Sequence, residues 1–150
     1  MGDDLINNRK ARHDYEILDT YEAGIVLRGT EVKSLRLGRG NLEASFARIE
    51  KGEAWLYQFD IQPYDKTTHE NHEAKAVRRL LLHKVELRKL FEQVTVLNRS
   101  LIPLKLYWKS NKLKVLLGVA TGKNARDKRQ DIKKAESARE LDRVMRQHRR

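Results

Sequence analysis

The first residues to weigh are those whose side chains could do chemistry at their spacing. His69-Glu70-Asn71-His72-Glu73 approximates the HExxH pattern, in which two histidines one helical turn apart hold zinc and the glutamate activates water. The second histidine would have to stand at residue 73, which is Glu, and the flanking residues are polar, so the pair reads as solvated rather than metal-bound. Gly38-Arg39-Gly40 begins like a phosphate-cradling glycine turn, but Glu43 occupies the third glycine position and no βαβ rhythm surrounds it. No P-loop is present, and none of Ser34, Ser45, Ser100, Ser110 or Ser137 sits in a G-x-S-x-G elbow. The paired acids Asp3-Asp4 lie at a terminus that frays. With no cysteine, thiol catalysis, a zinc ribbon and a disulfide framework are excluded. The reading is a non-enzyme with no metal and no cofactor.

What survives is chemistry for a polyanion. Lys and Arg number 32 against 21 Asp and Glu, a net charge of +11, and an excess of this size favours an anionic partner. Asn8-Arg9-Lys10-Ala11-Arg12-His13 is a compact basic run, and Arg78-Arg79 precedes the apolar triplet Leu80-Leu81-Leu82. Both set phosphate-neutralising groups beside structured backbone, which gives salt-dependent affinity without base readout. His13 and Tyr15 are placed to stack on unpaired bases. Local composition alone fits equally a Tyr15 packed in the core and arginines that only solubilise. No apolar run approaches the roughly 20 residues of a membrane helix, and the N-terminus lacks a signal-peptide pattern, so a soluble cytoplasmic chain is expected.

The elements that must position these groups alternate as in a β protein. Residues 14–27, with Gly24 inside, read as one long bent strand. Thr30 is placed to cap a short helix through Leu37 that ends at Gly38. Residues 44–59 read as a hairpin about Lys51-Gly52, with Phe46 and Ile49 against Trp55, Tyr57 and Phe59, closed by Pro63. Residues 65–77 read as a mobile polar loop. Residues 83–94 carry Val85, Leu87, Leu90, Phe91 and Val94 near helical spacing. LIPLKLYW and KLKVLLGVA flank Ser110-Asn111 as a second hairpin. Five or six strands and inserted short helices without βαβ units predict a mainly β chain, an OB-like antiparallel β-barrel with a basic C-terminal tail.

The charge divides this chain at Ala120. Residues 121–150 hold 11 basic and five acidic side chains but only four large apolar ones, Ile132, Leu141, Val144 and Met145. Such a segment buries too little apolar surface to offset its ordering cost. Its Ala, Arg, Lys, Glu and Gln are good helix formers, and Ile132, Ala135, Ala138, Leu141 and Met145 recur on one stripe. The expectation is an RNA-binding barrel over 1–120 and a tail over 121–150, disordered alone and helical on a partner.

Five stretches in order, NRKARHDYEI, YEAGIVLRGTEVKSLRLG, RRLLLH, LKLYWKSNKLKVLLGVATGK and DKRQDIKK, make the chain resemble the small protein B family over nearly its whole length. These are the tmRNA-binding proteins of bacterial trans-translation. The resemblance implies an OB-like barrel, a tail in the empty mRNA path of a stalled ribosome, and a body that binds the tRNA-like domain of tmRNA. Elongation factor Tu and alanyl-tRNA synthetase are then reached through the tmRNA. On the RNA face it implies Asn8, Glu22 and Leu81, flanked by Arg9, Arg12, His13 and Arg78. In the tail it implies Gly122, Lys123, Asp127, Lys128 and Arg129. Arg126 stands where some relatives carry a stacking histidine, and a guanidinium plane can also stack. Glu22 within a basic face is explained if its carboxylate accepts from base amino groups or fixes a neighbouring cation. Two other readings are a general OB-fold single-strand or ribosome-associated RNA binder, and an RNA-modifying enzyme with an unrecognised site.

Overall fold

The computed structural model describes residues 4–66 and 71–122. In chain order these form β1 (Asp4–Asn7), α1 (Arg9–Asp14), β2 (Tyr15–Ile25), α2 (Gly29–Arg36), β3 (Gly40–Asn41), β4 (Phe46–Glu50), β5 (Glu53–Tyr57), β6 (Asp60–Ile61), β7 (Arg78–Leu81), α3 (Lys84–Thr95), β8 (Ser100–Lys109) and β9 (Lys112–Gly122). Six strands pair antiparallel in the order β8-β4-β5-β7-β2-β9, and β9 returns to β8, which closes the sheet on itself. This is the expected OB-like antiparallel barrel. β1 extends it by lying along β8 at residues 105–107, beyond the point where Leu101 meets β4.

The two long hairpins follow from local turn chemistry. Lys51 and Gly52 have φ of 51° and 75°, and Ser110 and Asn111 have 51° and 64°. Two consecutive left-handed residues give the loop a twist that matches right-twisted strands. Phe46 faces Tyr57 across the first hairpin, and their rings stack at 5.4 Å. The core inside the ring is built by Leu35, Leu56, Phe59, Leu90, Leu106, Val115 and Leu117, all fully buried. A smaller cluster of Ala11, Ile102, Leu104 and Ala120 packs on the other side of β8. β8 is therefore covered on both faces, which explains why LIPLKLYW reads as a nearly continuous apolar run rather than a clean alternation.

Several local expectations change. The first helix turn is capped at Arg28, where Glu31 Oε1 accepts from the Arg28 N–H at 2.7 Å, and Thr30 lies inside the helix. Gly38 does end α2, at φ +73°. α3 buries Leu90 and half-buries Leu87 and Val94, whereas Val85 and Phe91 face solvent. Residues 67–70 of the polar loop lie outside the described residues, but 71–77 is tied down. Asn71 Nδ2 donates to Tyr64 O at 2.8 Å, and Ala74 O accepts from Ile61 N at 2.9 Å. His72 is buried, not solvated: Nε2 donates to Ile61 O at 2.9 Å and Nδ1 meets the Thr30 hydroxyl at 2.9 Å.

Candidate nucleic-acid interface

Around Glu22 the barrel exterior carries a charged cluster. β2 pairs Glu22 with Leu116 of β9, and β8 pairs Tyr107 with Lys114 of β9, so both side chains rise from the same side of three adjacent strands. The Tyr107 hydroxyl donates to Glu22 Oε2 at 2.5 Å, and Lys109 Nζ lies 3.2 Å from both carboxylate oxygens. Hydrogen bonding from Tyr107 is the main cause that holds the Glu22 carboxyl below its usual range. Partial burial opposes it, and Lys109 and then Lys114 reinforce it. Burial, followed by the Glu22 contact and charge, pushes the Tyr107 hydroxyl well up. The arrangement presents an ionised acceptor at neutral pH, oriented by two donors.

Glu22 forms part of the wall of a cleft of about 820 Å³ at one end of the barrel. Ile25, Leu27, Leu81 and Leu82 give it apolar walls, Trp108 lines it beside its cross-strand partner Leu113, and Lys112, Lys114, His83 and Glu86 supply further polar groups. Leu81 is about half exposed. The Arg36 guanidinium of α2 lies over the Trp108 ring at 4.6 Å, which extends the stacking surface outward. A groove with an acceptor, a stacking plane, apolar walls and lysines at its rim has the parts needed to hold an unpaired base and its phosphate.

The structure brings Glu22 and Leu81 together and separates them from the other expected residues. Asn8 is buried: its Nδ2 donates to Pro103 O at 2.8 Å and Leu42 O at 3.1 Å, and its Oδ1 accepts from Ala11 N at 3.1 Å, capping α1. Arg9, Arg12 and His13 are exposed on that short helix, and His13 Nδ1 contacts Asp14 Oδ1 at 3.0 Å. α1 meets β2 at Tyr15, so about 20 Å of strand lies between this basic turn and Glu22.

Arg78 is not a surface phosphate partner. It is buried against Glu31 and also donates to the carbonyls of Phe59, Ala76, Glu73 and Ala74, at 2.5, 3.0, 3.2 and 3.2 Å. That guanidinium has no edge left for an anion. It ties β7, α2 and the segment before β7 together. Gly122 ends β9 opposite Tyr15 and so completes the barrel ladder. Lys123, Arg126, Asp127, Lys128 and Arg129 lie outside the described residues.

Sequence reasoning missed Tyr107, Lys109, Arg36 and Trp108. Each is an ordinary strand or helix residue until the fold sets it beside Glu22 or Leu81; the alternation of YWK around 107–109 was the available signal. Among the described residues no group of His, Asp and Glu could hold a metal ion, and no helix is long and apolar enough to cross a membrane.

The chain is 53% identical over 142 residues, 95% of each chain, to the SsrA-binding protein of Carboxydothermus hydrogenoformans. It is 52% identical to the SsrA-binding protein of Thermosynechococcus vestitus, over 98% of this chain and 99% of that one. A chain solved in "tmRNA-SmpB: a journey to the center of the bacterial ribosome" superposes with a TM-score of 0.67 at 53% identity, covering 80% of this chain and 85% of that chain. The family described as SmpB protein matches residues 5–147, and with full-length relatives at this identity the chain belongs to the SmpB protein family.

Proposed function

We propose that this protein binds the tRNA-like domain of tmRNA and brings it to stalled ribosomes for trans-translation, in the cytoplasm and without catalysing a reaction itself. The observation that carries the reading is the near-complete match to SsrA-binding proteins, with a Glu22–Leu81 cleft built for a base. Glu22 and Leu81 contact the RNA. Arg9, Arg12 and His13 neutralise or stack on a second stretch of it. Asn8 and Arg78 act indirectly, by holding α1 and β7 in place. The barrel is the tmRNA-binding part, and the segment after Gly122, with Lys123, Arg126, Asp127, Lys128 and Arg129, contacts the mRNA path and decoding region of the ribosome. Elongation factor Tu and alanyl-tRNA synthetase are engaged through the RNA.

The test is recovery of the bound RNA. Tagged protein purified from a bacterial lysate and sequenced for its RNA should return tmRNA as the dominant species. Recovery of mixed single-stranded RNA without tmRNA enrichment would overturn the reading and favour a general OB-fold binder.

A further inference from the structure

We infer that the outer wall of β4, β5 and β7 seats a further unpaired nucleotide of the bound RNA, with Trp55 stacking on its base and Arg48 holding its phosphate. This seat rests on the tmRNA reading and adds a contact outside the Glu22 cleft. Alternation turns Ala47, Ala54, Leu56 and Leu80 into the core and leaves Phe46, Arg48, Trp55, Tyr57 and Arg79 on the outside. The register sets Arg48, Trp55 and Arg79 in one row, directly opposite one another across the three strands. The next row holds Phe46 and Tyr57, whose rings stack at 5.4 Å with planes 7° apart. The Arg48 guanidinium lies over both, 5.1 Å from the Phe46 ring centre and 5.3 Å from that of Tyr57. This shelf orients the fork, while among the described residues its N–H groups meet no hydrogen-bond acceptor. A guanidinium so placed takes two phosphate oxygens at its free edge. The two carboxylates of the wall are engaged elsewhere, Glu50 by the Tyr57 hydroxyl at 2.7 Å and Glu53 by Arg79 at 2.5 Å, so neither neutralises Arg48. Beside it, the half-buried Trp55 indole has no ring, cation or hydrogen-bond partner among the described residues. An unpartnered indole on a rigid strand is a stacking surface for any unpaired base.

The wall joins the two clusters assigned above to tmRNA, which is why that RNA is its occupant. Along β7, Arg79 and Leu81 point outward two residues apart, and Leu81 pairs with Gly24 of β2, two residues from Glu22. At the other end Phe46 borders the same small cleft as Lys10 and Tyr15, where α1 meets β2. From β7 to β4 the wall is two strand spacings wide, roughly 10 Å. A band of aromatic and guanidinium groups therefore runs from the Leu81 cleft to the basic turn of α1, and one RNA strand laid along it touches both.

Fluorine spectroscopy and affinity test this together. Full-length protein labelled with 5-fluorotryptophan has two fluorine resonances, from Trp55 and Trp108, and Trp55→Phe identifies the first. Adding the tRNA-like domain of tmRNA should shift the Trp55 resonance saturably, a reading made on the natural chain and independent of whether any variant folds. With folding verified by circular dichroism, Trp55→Leu should weaken tmRNA binding about tenfold. Arg48→Gln should weaken it as well, and lower the slope of log affinity against log salt by roughly 0.7–0.9. Arg48→Lys should restore that slope but not the affinity, because an ammonium neutralises phosphate without the planar fork that lies on Phe46 and Tyr57. A Trp55 resonance unmoved by saturating RNA, natural affinity in folded Trp55→Leu or Arg48→Gln, or full recovery with Arg48→Lys would overturn the inference. Variants that bind tmRNA normally but lose ribosome association would overturn it too, and would give the wall to the ribosome. The natural protein separates the two levels. If it binds tmRNA and these variants bind equally well, the nucleotide seat fails alone; if it does not bind tmRNA, the proposed function fails first.

Discussion

Tyr107 and Lys109 donate to the Glu22 carboxylate from β8, across the intervening strand β9, and hold its carboxyl below the usual range. A carboxyl with a lowered folded pKa contributes stability that is present above its unfolded pKa and is lost as pH falls through the folded value. Tyr107→Phe removes the main cause of that lowering and leaves the ring in place. The variant should lose about 1–2 kcal/mol at neutral pH, toward the low end because the carboxylate is partly solvated. Its deficit should narrow in acid, as pH falls through the lowered Glu22 value and the carboxyl protonates in both proteins. Urea unfolding at the two pH values measures this; a deficit equal at both would mean that the hydroxyl acts independently of the Glu22 charge. At this scale the sequence marked Glu22 through a family resemblance but not its partners. Tyr107 and Lys109 are 85 and 87 residues away, and no local pattern links them.

At the scale of elements, β7 is anchored by one side chain. Arg78 donates from the strand to Glu31 of α2 and to four backbone carbonyls, so the wall that carries Leu81 is held by a buried ion pair. Removing one partner of such a pair leaves the other charge uncompensated, at a cost of about 3–5 kcal/mol. Arg78→Ala should therefore unfold the barrel at markedly lower denaturant. Arg78→Lys should rescue little, because a point ammonium cannot reproduce the planar fork. A thermal melt of Arg78→Lys near that of the natural protein would show that charge alone suffices. The hairpins about Lys51-Gly52 and Ser110-Asn111 were legible because each turn joins two strands that follow one another directly in sequence. β1, the β3–β6 pair and the role of β7 were not, since they are two to four residues long and exist only through distant partners. Arg78-Arg79 looks like a surface pair in sequence; alternation along β7 turns Arg78 inward and leaves Arg79 out with Glu53. His72 was misjudged for the same reason, because its partners Thr30 and Ile61 come from other segments.

For the whole molecule, charge and shape make separable contributions. A net charge of +11 gives affinity for any RNA, with each neutralised phosphate adding roughly 0.7–0.9 to the slope of log affinity against log salt. In the proposed reading, the cleft adds preference for one RNA. Binding should thus weaken steeply with salt and still favour the tRNA-like domain over a single strand of equal length; equal affinity at near-physiological salt would point to electrostatics alone. The barrel ladder runs to Gly122, two residues past the boundary suggested by charge at Ala120, so truncation belongs after Gly122. That shortened protein should fold and bind tmRNA with nearly unchanged affinity while failing to support tagging on stalled ribosomes. Early melting or loss of tmRNA binding would place the tail within the binding domain. The most direct test sets charge against shape at one residue: titration of folded Glu22→Ala against tmRNA. The substitution makes the protein more basic, so a surface that works by charge alone binds as well or better. If Glu22 holds a base, affinity should fall by about 1–3 kcal/mol, roughly five- to 150-fold. Unchanged or tighter binding would contradict the account.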